Sequence, residues 1–193
     1  MKLVIIKYNA GNTQSVFFAL ERIGITPIIT DNLHEIESAD KLILPGVGEA
    51  SSAMKYLKDK KLDVVIRSLS QPILGICLGM QLMCNYSEEG NTKCLGIFNQ
   101  DIKLFPSTLK VPQIGWNTIF DLKTNLFNSV MENEYQYLVH SYSAELGTNT
   151  IAKTNYGIDY STALNKNNFY GVQFHPEKSG ISGQTILENF IKL

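Results

Sequence analysis

The sequence predicts an α/β protein: a mostly parallel central sheet flanked by helices, with antiparallel strands added in the second half. Three observations carry this. Short, wholly apolar runs recur through the first half, the mark of strands buried on both faces. Stretches of helical period separate them, and strand–helix alternation implies parallel neighbours joined by crossover helices. From Leu95 to Phe174 the pattern changes to short β-like segments divided by polar turns, with little helix.

Leu3 to Ile6 is the first apolar run. Asn9-Ala10-Gly11-Asn12 reads as a turn, and Thr13 as the N-cap of a helix carrying Val16, Phe17, Leu20 and Ile23 on one face. Gly24 ends that helix. Ile28-Ile29 and Leu42-Ile43-Leu44 read as the next two strands, the second stopped by Pro45-Gly46-Val47-Gly48. A helical stretch from Glu49 to Ser70, broken near Asp59, leads to a strand over Pro72 to Ile76. Ile181 to Ile191 reads as a closing helix. In open parallel sheets, ligands bind beyond the carboxyl ends of the strands. The turns at Asn9–Asn12, Pro45–Gly48 and Cys77 all fall at that edge.

No repeat, linker or low-complexity tract divides the 193 residues, so one domain over 1–193 is expected. Hydrophobic residues at 44% and charged residues at 18% suit a globular chain. The net charge of −1 argues against a nucleic-acid partner. The apolar run after Met1 is interrupted by Lys7, too soon for a signal peptide, and no later run is long enough to span a bilayer. A cytoplasmic protein without membrane contact is the expectation. Three cysteines, Cys77, Cys84 and Cys94, without a CxxC pair form neither a disulfide framework nor a structural zinc pattern, so no metal is expected.

Leu74-Gly75-Ile76-Cys77-Leu78-Gly79-Met80-Gln81 is the most informative segment. An apolar strand runs into a cysteine with a glycine two positions away on each side, and a helical pattern follows. This is the form of a nucleophile elbow with cysteine in place of serine. The glycines let the backbone turn sharply and neighbouring chain pass close by. Cys77 would then stand exposed above the sheet, at a helix N-terminus that favours a thiolate. The Leu78 N–H would help to bind an oxyanion. Taken alone, Cys77 also fits a buried core cysteine between packing glycines. Cys84 and Cys94 lack such a setting and read as structural.

A thiol nucleophile needs an imidazole. His34 sits in a polar, acidic stretch and reads as a surface residue. His140 lies in Tyr137-Leu138-Val139-His140-Ser141-Tyr142, and His175 in Gly171-Val172-Gln173-Phe174-His175-Pro176-Glu177. Pro176 ends the strand at His175. Glu177, across that rigid proline, can turn back onto the imidazole and fix its tautomer, as a third triad member does. His-Pro-Glu is a weak signal by itself; beside the elbow it points to a Cys77–His175–Glu177 triad.

The elbow together with the His175 segment resembles the class I, or triad, glutamine amidotransferases. Lys110-Val111-Pro112-Gln113-Ile114-Gly115-Trp116-Asn117 and Tyr137 to Tyr142 narrow the resemblance to the branch that serves imidazole glycerol phosphate synthases, and it spans essentially the whole chain. The resemblance implies a flavodoxin-like fold without a cofactor. It implies hydrolysis of L-glutamine to glutamate and ammonia, with ammonia channelled to a (β/α)₈ barrel cyclase subunit in a heterodimer of histidine biosynthesis. Carried over by position, Cys77 attacks the carboxamide, His175 is acid and base, and Glu177 orients His175. Gly46, Val47 and Gly48 match the oxyanion strand, in which a peptide reorients to aim its N–H at the site. Gly46, Gly48, Gln81, His140, Ser141 and Tyr142 match positions that hold the substrate. Asn12, Gln113, Trp116, Tyr137 and Lys178 match positions near the partner; Gln113 stands where histidine is common. A glutaminase serving another acceptor, such as a surface sugar, or a γ-glutamyl hydrolase or cysteine peptidase on a similar fold, is the alternative.

Overall fold

The computed structural model describes residues Met1–Leu193. In chain order its first half runs β1 (Leu3–Ile6), α1 (Thr13–Arg22), β2 (Ile28–Thr30), α2 (Leu33–Glu37), β3 (Lys41–Leu44), α3 (Ala50–Asp59), α4 (Leu62–Ser68), β4 (Ile73–Ile76) and α5 (Leu78–Met83). The second half adds β5 (Tyr86–Ser87), β6 (Thr92–Lys93), β7 (Asp101–Leu104), β8 (Gln113–Ile119), β9 (Glu134–His140), β10 (Tyr142–Ala144), β11 (Thr150–Asn155), β12 (Asp159–Lys166), β13 (Phe169–Val172) and α6 (Gly180–Lys192).

The main sheet has the order β2-β1-β3-β4-β13-β12-β10-β7-β5-β6, with β11 against β12. Strands β2, β1, β3, β4 and β13 are mutually parallel, while β12 runs antiparallel to β13, β10 to β12 and β7 to β10. Strands β8 and β9 form a separate antiparallel pair. The expected mixed architecture is therefore present, and β13, from the far end of the chain, pairs directly with β4. The alternation of β1 explains the two cores. Val4 and Ile6 pack on one face with α3, α4 and α5; Leu3 and Ile5 pack on the other with α1 and α6.

Two details depart from the sequence reading. Asn12, not Thr13, caps α1, its Oδ1 accepting the Ser15 N–H at 3.3 Å. The stretch after Asn32 forms α2, a helix of five residues that buries only Ile36, too short to show a period. The helical stretch breaks where expected: α3 ends at Asp59, and Lys61, with a left-handed φ of 59°, leads into α4. No helix is long and apolar enough to cross a membrane.

Candidate active site

The carboxyl ends of β3, β4 and β13 converge on one cavity. Cys77 follows β4 directly and its N–H donates to Val172 O of β13 at 2.8 Å. Its backbone, φ 53° and ψ −112°, lies where L side chains are strained, at a cost of roughly 1–3 kcal/mol. The sharp turn therefore sits on the cysteine itself. Gly75 and Gly79 have no positive φ and serve only close approach. A Cβ on Gly79 would strike Leu44 O, and one on Gly75 would come within 2.8 Å of Met80 N. The elbow is thus clamped between β3 and the first turn of α5. The sulfur is less open than expected: Cys77 is 6% exposed and is reached through the cavity.

That cavity, of about 320 Å³, is lined by Val47, Gly48, Cys77, Leu78, Gln81 and His175, with Glu89 and the segment Val139 to Tyr142. Its size suits a small ligand. His175 ends the chain segment after β13, and its Nδ1 donates to Glu177 Oε1 at 2.8 Å, both side chains 2% exposed. The short 3₁₀ turn Pro176–Lys178 brings the carboxylate back, as the proline spacing predicts. Burial by itself would lower the His175 pKa; Cys77 and Glu177 outweigh it and raise the pKa to about 10. No hydrogen bond is formed at His175 Nε2, which is buried and unpartnered. Catalytic hydrogen bonds often tighten only when substrate is bound.

The segment Gly46 to Gly48, expected to serve as the oxyanion strand, has the Val47 N–H occupied by the main chain. Val47 N–H donates to Ala10 O at 2.6 Å. A Cβ on Gly46 would meet the Tyr8 hydroxyl and Gly79 N at 2.6 Å, so the segment lies directly on the start of α5. Gly48 has φ 107°, a conformation glycine tolerates. Leu78 opens α5, so its N–H is a first-turn group without a partner inside the helix.

Gln81 is buried, and its Nε2 donates to Tyr142 O at 3.0 Å and to Gln173 Oε1 at 2.8 Å. The main chain from His140 to Tyr142 borders the cavity, but the His140 ring turns inward, bonding Tyr142 O at 2.7 Å and the Tyr160 hydroxyl at 3.2 Å. Burial lowers its pKa to about 4. Cys84 and Cys94 are buried away from the cavity, and burial pushes both thiols up, Cys94 to about 12. His34 is exposed on α2.

The residues matched to a partner face divide. Trp116 is 55% exposed and its ring meets Tyr137 edge to face at 6.0 Å, with Lys178 Nζ 5.9 Å from the Tyr137 ring. Asn12 is half-buried at the cap of α1. Gln113 departs from its expected place: its side chain is buried, and its Oε1 accepts from the Tyr160 hydroxyl at 3.0 Å. Strand alternation puts Ile114 and Trp116 outward and Gln113 inward.

Glu89 was missed by the sequence reading. It follows β5 in a 3₁₀ turn, accepts the Ala50 N–H at 2.8 Å and reaches the cavity wall. Burial raises its pKa, against the Ala50 bond that lowers it. In sequence, Glu88-Glu89-Gly90 looks like any acidic surface turn.

The model of the family described as "Glutamine amidotransferase class-I" matches residues 4–193. The chain belongs to that family. The amidotransferase is 52% identical to the "Imidazole glycerol phosphate synthase subunit HisH" of Bacteroides fragilis (strain YCH46), over all of both chains. It is 46% identical to the protein of the same name from Haemophilus influenzae (strain Rd), covering 100% of this chain and 98% of that one. Among solved structures, a glutamine amidotransferase superposes with TM-score 0.77 at 16% identity, over 98% of this amidotransferase and 97% of that chain. PurLQS from Thermotoga maritima does so with TM-score 0.75 at 16% identity, over 99% and 97%. At these identities the two structures bear on the fold alone.

Proposed function

We propose that this amidotransferase is the glutaminase subunit of an imidazole glycerol phosphate synthase, hydrolysing glutamine at Cys77 and passing ammonia to a (β/α)₈ barrel cyclase. The observation that carries the chemistry is the meeting of a strained cysteine after β4 with a buried His175–Glu177 pair after the adjoining β13, at the wall of a closed-in cavity. Identity of 46–52% along the whole chain to subunits of that name supports this branch over other acceptors.

In this reading the Cys77 thiolate attacks the glutamine carboxamide carbon. His175, protonated at neutral pH with its pKa near 10, hands its proton to the departing ammonia. A γ-glutamyl thioester remains on Cys77. His175, now neutral, takes a proton from water, whose oxygen attacks the thioester carbon, and glutamate leaves as the thiolate is restored. Glu177 holds the ring by Nδ1 throughout. Gln81 and the main chain of His140, Ser141 and Tyr142 border the pocket for the amino-acid end. The Glu89 carboxylate suits the substrate's α-ammonium, a charge-assisted partner at the cavity wall.

The anionic intermediate needs donors at the developing oxyanion. Leu78 offers one; Val47 withholds its own while bonded to Ala10 O. The isolated subunit is therefore expected to turn over slowly, and partner docking to free the Val47 peptide. The exposed Trp116–Tyr137–Lys178 group is the proposed docking surface. The test is a glutaminase assay with and without the purified cyclase and its ribotide substrate. Strong stimulation by both supports the reading; turnover unaffected by the cyclase argues for a different acceptor.

A further inference from the structure

Gln173 belongs to the His175 segment but has no part in the chemistry so far described. It follows β13 by one residue, wholly buried, beside the cysteine to which β13 is hydrogen-bonded. Its Nε2 lies 3.6 Å from Cys77 Sγ, a normal span for a donor to sulfur, and its Oε1 accepts from Gln81. The two ends of an amide are nearly alike in shape, so the network must decide which end meets the sulfur. Here it is decided two links away. Gln81 also bonds the Tyr142 carbonyl, which can only accept, so Gln81 must turn its NH₂ to that side. The second hydrogen of the same NH₂ falls on Gln173, which must answer with its oxygen. The NH₂ of Gln173 is left facing the sulfur. A main-chain carbonyl thus sets the polarity of a donor at the reacting atom.

We propose that Gln173 is a further catalytic residue of glutamine hydrolysis, its side-chain N–H donating to Cys77 Sγ and favouring the thiolate over the thiol. A donor aimed at the charged form of a group stabilises that form, and bonds to charged acceptors exceed those to neutral ones. The acylated sulfur carries no such charge, so the bond is strongest before attack and again as the thioester collapses. The proposal rests on the reading of Cys77 as the nucleophile.

The test uses the full-length protein and follows alkylation of Cys77 by iodoacetamide against pH, with the modified residue located by mass spectrometry. Gln173→Leu is expected to raise the pH midpoint of alkylation by about one unit. It is expected to lower kcat by ~10- to 100-fold with KM little changed. A merely structural role would lower stability or raise KM and leave the midpoint where it is. A folded Gln173→Leu protein with the wild-type midpoint overturns the proposal. Alkylation needs no glutamine, so this outcome is separate from the nucleophile reading, which fails if Cys77→Ala still turns over glutamine. Should Gln173→Leu not fold, the wild type itself decides. The Gln173 side-chain NH₂ resonances are expected to move with the alkylation midpoint and to stay still in Cys77→Ala. Resonances indifferent to pH in the wild type overturn the proposal.

Discussion

His175 and His140 are both buried at the same cavity, yet their pKa values move apart, to about 10 and about 4. Burial pulls both down, because desolvation penalises the charged ring. The difference lies in what else touches each ring. His175 has a carboxylate at Nδ1 and a thiol at its other edge. His140 has a carbonyl and a phenol; the Tyr142 carbonyl favours the protonated ring, but not enough to offset burial and the nearby charge of His175. The comparison teaches that depth alone does not select a catalytic histidine. The charge of its neighbours separates the two, and in the proposed mechanism one region carries the acid–base chemistry while the next serves as polar scaffold.

The comparison breaks most directly at the sulfur. Cys77→Ala is expected to abolish glutaminase activity, by at least about 10⁴-fold, while the fold stays intact by circular dichroism. It also removes one of the two partners that raise the His175 pKa, which nuclear magnetic resonance titration of the ring should record as a fall. Glu177→Gln keeps the shape and removes the charge. We expect kcat to fall by roughly 10³- to 10⁴-fold and His175 to titrate lower, nearer to His140. An unchanged His175 titration would mean that the carboxylate does not set the difference. A third substitution lies across the cavity: Glu89→Gln should raise KM for glutamine about 10- to 100-fold with a smaller change in kcat.

The smallest effect is in the pH dependence of stability. The folded pKa of His175 is raised above its unfolded value of about 6.5. Its contribution is therefore complete below that value and is lost as pH rises through about 10. His140 is the opposite case: its folded pKa is depressed, so its contribution is present above about 6.5 and is lost as pH falls through about 4. Melting temperature against pH should fall off on both sides, and His140→Phe should flatten the acid side alone. An acid limb that survives this substitution would place the titration elsewhere, in the carboxylates.

Local patterns made much of this legible. The apolar runs of β1, β3 and β4 read correctly because strands buried on both faces leave no polar position to confuse the period. The break near Asp59 and the closing helix came within two residues. What failed was short or non-local. Helix α2 holds one turn and one buried residue, below what periodicity can register. In β8 the apolar residues Ile114 and Trp116 face out while Gln113 faces in, the reverse of ordinary patterning. Only the Tyr160 hydroxyl, 47 residues away, explains the buried amide.

The sequence by itself determined the fold class, the family resemblance and the identity of the cysteine, histidine and glutamate expected to act. Each rests on steric rules a few residues long: glycines where the chain must pass closely, a proline where a strand must end. Tertiary structure decided the state in which those residues stand. It buried Cys77 to 6% exposure, tied the Val47 N–H to Ala10 O, brought Glu89 to the cavity and turned the NH₂ of Gln173 toward Cys77. Desolvation, charge and hydrogen-bond polarity are sums over neighbours that the fold gathers from distant strands, and no local stretch of sequence contains them.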